Sequence, residues 1–145
     1  MHWEKKLPIG IQTFENLIEE VYYYVDKTGY ISGLRNTGKY YFLSRPRRFG
    51  KSLLLSTIEA AFQGKRTLFS GLFLENNWDW ETVHPVIHIS FGAGVMRSTD
   101  DLCIRFTAIL NHHARKFGVT FQYNDLRERF AELIVELHTK YNQEV

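Results

Sequence analysis

An apolar, aromatic run, Tyr40-Tyr41-Phe42-Leu43, leads directly into Ser44-Arg45-Pro46-Arg47-Arg48-Phe49-Gly50-Lys51-Ser52. Beyond it, Leu53, Leu54, Ile58, Ala61 and Phe62 recur at helical spacing until Gln63-Gly64 closes the pattern. The order is strand, basic loop, helix, and no other stretch of the 145 residues restricts the fold as strongly. Residues 40–43 carry the composition of a strand buried on both faces of a parallel sheet. The second half of the loop, Gly50-Lys51-Ser52, matches the phosphate-binding pattern G-x-x-x-x-G-K-[ST] in the strand-to-helix setting that gives the pattern meaning. Its chemistry is direct. Loop and helix-start N–H groups face a polyphosphate, the lysine ammonium reaches phosphate oxygens, and the hydroxyl ligates Mg²⁺.

The first glycine of the pattern is replaced by Arg45, and Pro46 pushes that residue toward an extended conformation. The loop therefore enters without a glycine turn. Arg47 and Arg48 add cationic donors for phosphate oxygens. The whole chain carries a net charge of only +2, so Arg45, Arg47, Arg48 and Lys51 exceed the total and leave the remainder net negative. Gly-Lys-Ser alone is a frequent tripeptide, and an arginine-rich turn is ordinarily a solvated one. The flanking strand and helix carry the inference.

The rest of the chain reads as alternating elements. Thr13 is placed to cap a short helix burying Phe14, Leu17, Ile18 and Val21, and residues 21–25 read as a strand or extended segment. Asp26 is placed to cap a second helix bearing Tyr30, Ile31 and Leu34, ended at Asn36-Thr37-Gly38 by a residue tolerant of positive φ. Residues 65–80 read as a loop anchored by Leu68, Phe69, Leu72 and Phe73, with Trp78-Asp79-Trp80 a compact aromatic group covering a sheet edge. Pro85 opens a second β-branched strand over 86–91, released at Gly92-Ala93-Gly94. Ser98 with Asp101 resembles a capping box for a helix carrying Leu102, Phe106, Ile109 and Leu110 to Gly118. Asn124 or Asp125 starts another, with Leu126, Phe130, Leu133, Ile134, Leu137 and Tyr141 on one face. The expected class is α/β, P-loop NTPase-like, a mostly parallel sheet flanked by helices, forming one incomplete domain.

With 44% hydrophobic and 23% charged residues the composition is that of a globular domain, and no apolar run approaches the roughly 20 residues of a membrane helix. The start, Met1-His2-Trp3-Glu4-Lys5-Lys6, leads into no apolar run, so no secretory signal is visible. The single cysteine, Cys103, has no ligand-spaced companion and fits a reducing cytoplasm. His112 and His113 are adjacent, point about 100° apart on a helix and cannot share an ion, and His88 reads as a core residue.

Leu7-Pro8-Ile9-Gly10-Ile11, Tyr24-Val25-Asp26-Lys27-Thr28, the segment 39–53 and Pro85-Val86-Ile87-His88-Ile89 together resemble the AAA-ATPase-like family. Its members are mostly prokaryotic and often carry a C-terminal nuclease-like domain. The resemblance spans most of the chain up to Phe91, and the missing first glycine is a trait of the family. It implies an ATP-binding domain with Arg47, Arg48, Phe49, Gly50, Lys51, Ser52 and Leu53 around the phosphates and Ser52 on Mg²⁺. By the same resemblance and by position, Asp26, Lys27 and Thr28 line the nucleotide pocket. It also implies a later acidic strand, the Walker B element, that positions metal and water. The only apolar run ending in an acid, Tyr22-Tyr23-Tyr24-Val25-Asp26, precedes the loop. The chain therefore reads as the N-terminal part of such a domain, ending before that strand, with nucleotide binding expected and negligible turnover.

A second reading uses the same residues differently. Tyr22, Tyr23, Tyr24, Tyr40 and Tyr41 with Arg45, Arg47 and Arg48 make a stacking and phosphate-contacting set for nucleic acid. A third takes the chain as a nonbinding remnant whose unpaired sheet edges promote dimers.

Overall fold

The computed structural model describes residues 5–92 and 96–145, which divide into two compact units, Met1–Val83 and His84–Val145. In the first unit, α1 (Phe14–Glu19) turns Phe14 and Leu17 inward. Thr13 sits at its N-cap position without a side-chain cap; instead Ser56 Oγ, from α3, accepts the Phe14 N–H at 2.8 Å. A free helix-start donor is thus satisfied across the core, not locally. α2 (Gly29–Thr37) buries Ile31, and α3 (Lys51–Phe62) buries Thr57, Ala60 and Ala61. Small residues on α3 let it lie close to its neighbours. Gly38, expected at positive φ, is extended at −176°.

Two short 3-10 turns, Arg66–Phe69 and Phe73–Asn76, complete this unit. Phe14, Ile31, Ala60, Ala61, Leu68, Phe69 and Leu74 form its core. Phe69 lies between the Phe14 ring at 4.9 Å and the Trp80 ring at 5.0 Å. The indole N–H groups of Trp78 and Trp80 donate to the Ala61 and Glu75 carbonyls, so these half-buried side chains pack against the core without an orphaned donor.

The second unit packs α4 (Thr99–Phe117) and α5 (Leu126–Tyr141) side by side in the same direction, Phe106 against Phe130 and Phe117 against Tyr141, with an extended segment ahead of α4. Ser98 Oγ accepts the Asp101 N–H at 3.1 Å, and Gly118 ends α4 at φ 69°. Asp125 caps α5 through the Arg127 N–H at 2.9 Å. Leu110, Phe117, Leu133 and Leu137 make the core, with Ile87, Phe106 and Phe130 packed around it. Each such side chain contributes about 1.5–3 kcal/mol on burial.

The expected α/β class is overturned. Among the described residues there is no sheet, so the fold is not a P-loop NTPase-like parallel sheet flanked by helices; the one strand-like pairing is an isolated parallel bridge between Lys6 and Tyr22. Residues 40–43 and 86–91 are unpaired. Tyr40 and Phe42 are each 93% exposed, the opposite of a buried central strand. The reason is physical: apolar composition states what a segment gains by burial, whereas strand hydrogen bonds require a second segment alongside. Residues 65–80 accordingly cover no sheet edge and pack instead into the helical core.

The expected absence of a leader at Met1 to Glu4, and Ala93 and Gly94 of the expected exit loop, lie outside the described residues. Among the described residues no helix is long and apolar enough to cross a membrane.

Candidate functional site

Within the first unit, residues 44–50 form an exposed loop that feeds α3. Arg48 and Gly50 both adopt left-handed backbone, at φ 65° and 75°, and α3 begins at Lys51. A left-handed residue followed directly by a right-handed one turns successive N–H groups toward one side, the arrangement of an anion-binding nest. No side chain caps α3, and its first helical bond is Leu54 N–H to Gly50 O at 2.9 Å. The amides of Lys51, Ser52 and Leu53 precede that bond, at the positive end of the helix dipole.

Lys51 folds back over its own loop. Its ammonium donates to the main-chain oxygens of Arg45 at 2.5 Å and Pro46 at 2.8 Å. The cation is thus held above the loop by two neutral carbonyls, acceptors that an anionic oxygen outcompetes.

The loop also walls a cavity of about 700 Å³. Arg45, Phe49, Gly50, Leu53, Leu54 and Thr57 form one side; Tyr23, Tyr24, Lys27, Tyr30, Gly33, Leu34 and Thr37 form another. The lining is mostly aliphatic and aromatic and contains no carboxylate. Burial pushes the Tyr24 phenol up from its ordinary value, with hydrogen bonding to Thr57 and to the Lys27 backbone opposing it. The phenol therefore stays protonated, and a donor, at neutral pH.

Of the residues singled out in the sequence, Lys27, Phe49, Gly50 and Leu53 lie on this cavity wall. Arg47, Arg48, Lys51 and Ser52 belong to the loop and the first turn of α3 but not to the wall. Asp26 and Thr28 tie α2 to the second 3-10 turn. Asp26 accepts the Thr28 N–H at 2.8 Å, the Thr28 hydroxyl at 2.7 Å and the Phe73 N–H at 2.6 Å, and Thr28 Oγ1 accepts from Leu74 N–H at 3.2 Å. The apolar cavity itself was not foreseen. Its signal was Tyr30, Gly33, Leu34 and Thr37, one face of α2 at i, i+3, i+4 and i+7.

Burial alone would raise the Asp26 carboxyl, but the donors from Phe73 and Thr28 outweigh it and hold the group below the usual 3.8. A folded value below the unfolded one stabilises the fold above the carboxylate range, and that contribution disappears as pH falls through the depressed value. Urea midpoints of wild type and Asp26→Asn should therefore differ most near neutrality and converge between about pH 5 and about pH 2. A constant gap across that range would show that the charge is not what matters.

A family model described as predicted AAA-ATPase matches residues 8–145. An uncharacterized protein in the vnfD 5' region of Azotobacter chroococcum mcd 1 is 47% identical over 142 residues, which is 97% of this chain and 28% of that protein. The chain thus spans well under a third of that relative's length. No solved structure matches it.

Proposed function

We propose that this chain, which belongs to the AAA-ATPase-like family, binds a nucleoside triphosphate at the junction of the 44–50 loop and α3. The observation that carries the reading is Lys51, whose ammonium is stored over the loop on the Arg45 and Pro46 carbonyls beside an uncapped helix start. In this reading the phosphates replace those carbonyls, the first amides of α3 donate to phosphate oxygens, and Arg47 and Arg48 offset the remaining charge. The cavity bounded by Gly50, Phe49, Tyr24 and Tyr30 takes the base and sugar.

Ser52 is exposed in the first turn of α3, and it is the residue that would hold Mg²⁺ there, an ion that neutralises charge between phosphate oxygens. A single hydroxyl suits an ion that takes its other ligands from water and phosphate. Among the described residues no group of three His, Cys, Asp or Glu side chains is arranged to hold a metal, so the ion would enter with the nucleotide. Because no carboxylate lines the cavity, no wall residue is placed to activate water, and this segment binds without rapid turnover.

The test is thermal unfolding with Mg·ATP and Mg·ADP. Saturation at about 100 times Kd adds about 2.7 kcal/mol to a protein whose folded state alone binds. The stabilisation should vanish in Lys51→Ala while the unliganded melting temperature hardly moves. A persistent effect in that variant would refute the reading.

One observation favours nucleic acid as a second reading: Tyr40, Phe42 and Phe49 are exposed in the segment that carries Arg45, Arg47 and Arg48. In that case no nucleotide stabilisation appears. A single-stranded oligonucleotide binds instead, with affinity falling steeply with salt and dependent on Arg47 and Arg48 more than on Ser52.

A further inference from the structure

The second unit contains its own polar cavity, of about 330 Å³, with Arg105, His112 and His113 on α4 and His88 and Ser90 on the extended segment ahead of it. The placement follows from backbone periodicity. Arg105, His112 and His113 stand at i, i+7 and i+8 of a helix, and His88 and Ser90 at i and i+2 of extended chain, so each set shares a face. His113 Nε2–H donates to the His88 carbonyl at 2.9 Å, pinning helix to segment. A carbonyl only accepts, so the proton of the His113 ring must reside on Nε2 in its neutral form.

We infer that this cavity binds a small oxyanion of the phosphate class. Three observations converge. First, the polar lining is an arginine, a serine and three histidines, with no aspartate or glutamate. Second, Arg105 Nε is buried and has no hydrogen-bond partner among the described residues. A buried guanidinium N–H without an acceptor is rare, and an anionic oxygen is its natural partner. Third, a metal ion does not suit the same residues. His113 Nε2 is already committed to the His88 carbonyl, and no three-ligand metal group occurs among the described residues. Donors spread around a cavity suit a polyatomic anion with several oxygens, whereas an ion would require them to converge on one point.

The ligand is identified by its phosphate group, which is shared by inorganic phosphate and by the terminal group of a phosphorylated metabolite. The experiment uses the full chain, following the Arg105 Nε–Hε and imidazole resonances during titration with inorganic phosphate at fixed pH and ionic strength. A parallel titration uses Mg·ATP. Saturable shifts at Arg105 and His112 are expected, retained in Lys51→Ala and weakened about tenfold or more in Arg105→Gln. Arg105→Lys keeps the charge but not the fork and should recover only part of the affinity. If ATP moves the same resonances more tightly than phosphate does, the source is a nucleotide tail; if phosphate alone does so, it is the free anion.

Three results would overturn the proposal: no saturable shift up to roughly 50 mM phosphate, unchanged affinity in a folded Arg105→Gln, or loss of the shifts in Lys51→Ala. Should Arg105→Gln fail to fold, the exposed His112→Gln decides, with unchanged affinity counting against the site. Retention in Lys51→Ala also keeps this test independent of nucleotide binding in the first unit.

Discussion

Phe69→Ala should lower the unfolding free energy by about 3–5 kcal/mol, a large part of the 5–15 kcal/mol that holds a typical domain together. Phe69 is fully buried and its ring is shared by Phe14 on α1 and by Trp80. Truncation removes the transfer free energy of the ring and leaves a void that these two rigid aromatics cannot close by changing rotamer. The matched control is Phe73→Ala four residues later. That side chain is 51% exposed, while its backbone N–H keeps its bond to Asp26 whatever the side chain, so the cost should stay near or below 1 kcal/mol. Urea unfolding of both variants measures the contrast. Equal losses would mean that the first unit is not organised around Phe69.

The helices were legible because their signals are local. The Leu53, Leu54, Ile58, Ala61 and Phe62 spacing foretold α3, and Ser98 with Gly118 bracketed α4 closely, because caps and helical periodicity are read within a few residues of where they act. The strands were misread for the complementary reason. Tyr40 to Leu43 and Val86 to Phe91 have the residues of a sheet interior, but a strand exists only through a partner far away in sequence, and among the described residues none is alongside. Asp26 illustrates a mixed case. Expected to cap α2, it instead stands two residues before the N-cap Thr28 and accepts that residue's N–H, while its bond to Phe73 N–H links residues 47 positions apart and needed the fold. The candidate site divides in the same way. Gly50-Lys51-Ser52 at a helix start was written in the chain, whereas the return of Lys51 to the Arg45 and Pro46 carbonyls and the Tyr24 and Tyr30 cavity emerged only from coordinates.

Gly50 supplies the second large effect, because two demands fall on one backbone position. Its φ of 75° lies in the left-handed region, where a side chain costs about 1–2 kcal/mol and a β-branched one more. A Cβ built there meets nothing within 4 Å, in contrast with Gly64, where it would lie 2.8 Å from Val83 Cγ2. The cost of replacing Gly50 is therefore conformational and not steric. Gly50→Val should destabilise the chain by at least about 1–2 kcal/mol, or relieve the strain by refolding the loop, and in either case abolish stabilisation by Mg·ATP. Gly50→Asn separates the two demands, since asparagine tolerates the left-handed region. It should retain nearly all the unliganded stability, yet its side chain would occupy the open space through which a phosphate approaches the loop amides. The expected result is a well-folded Gly50→Asn that Mg·ATP stabilises far less than wild type. Full nucleotide stabilisation in that variant would show that the ligand does not approach the backbone at residue 50, and would move the phosphate site away from the start of α3.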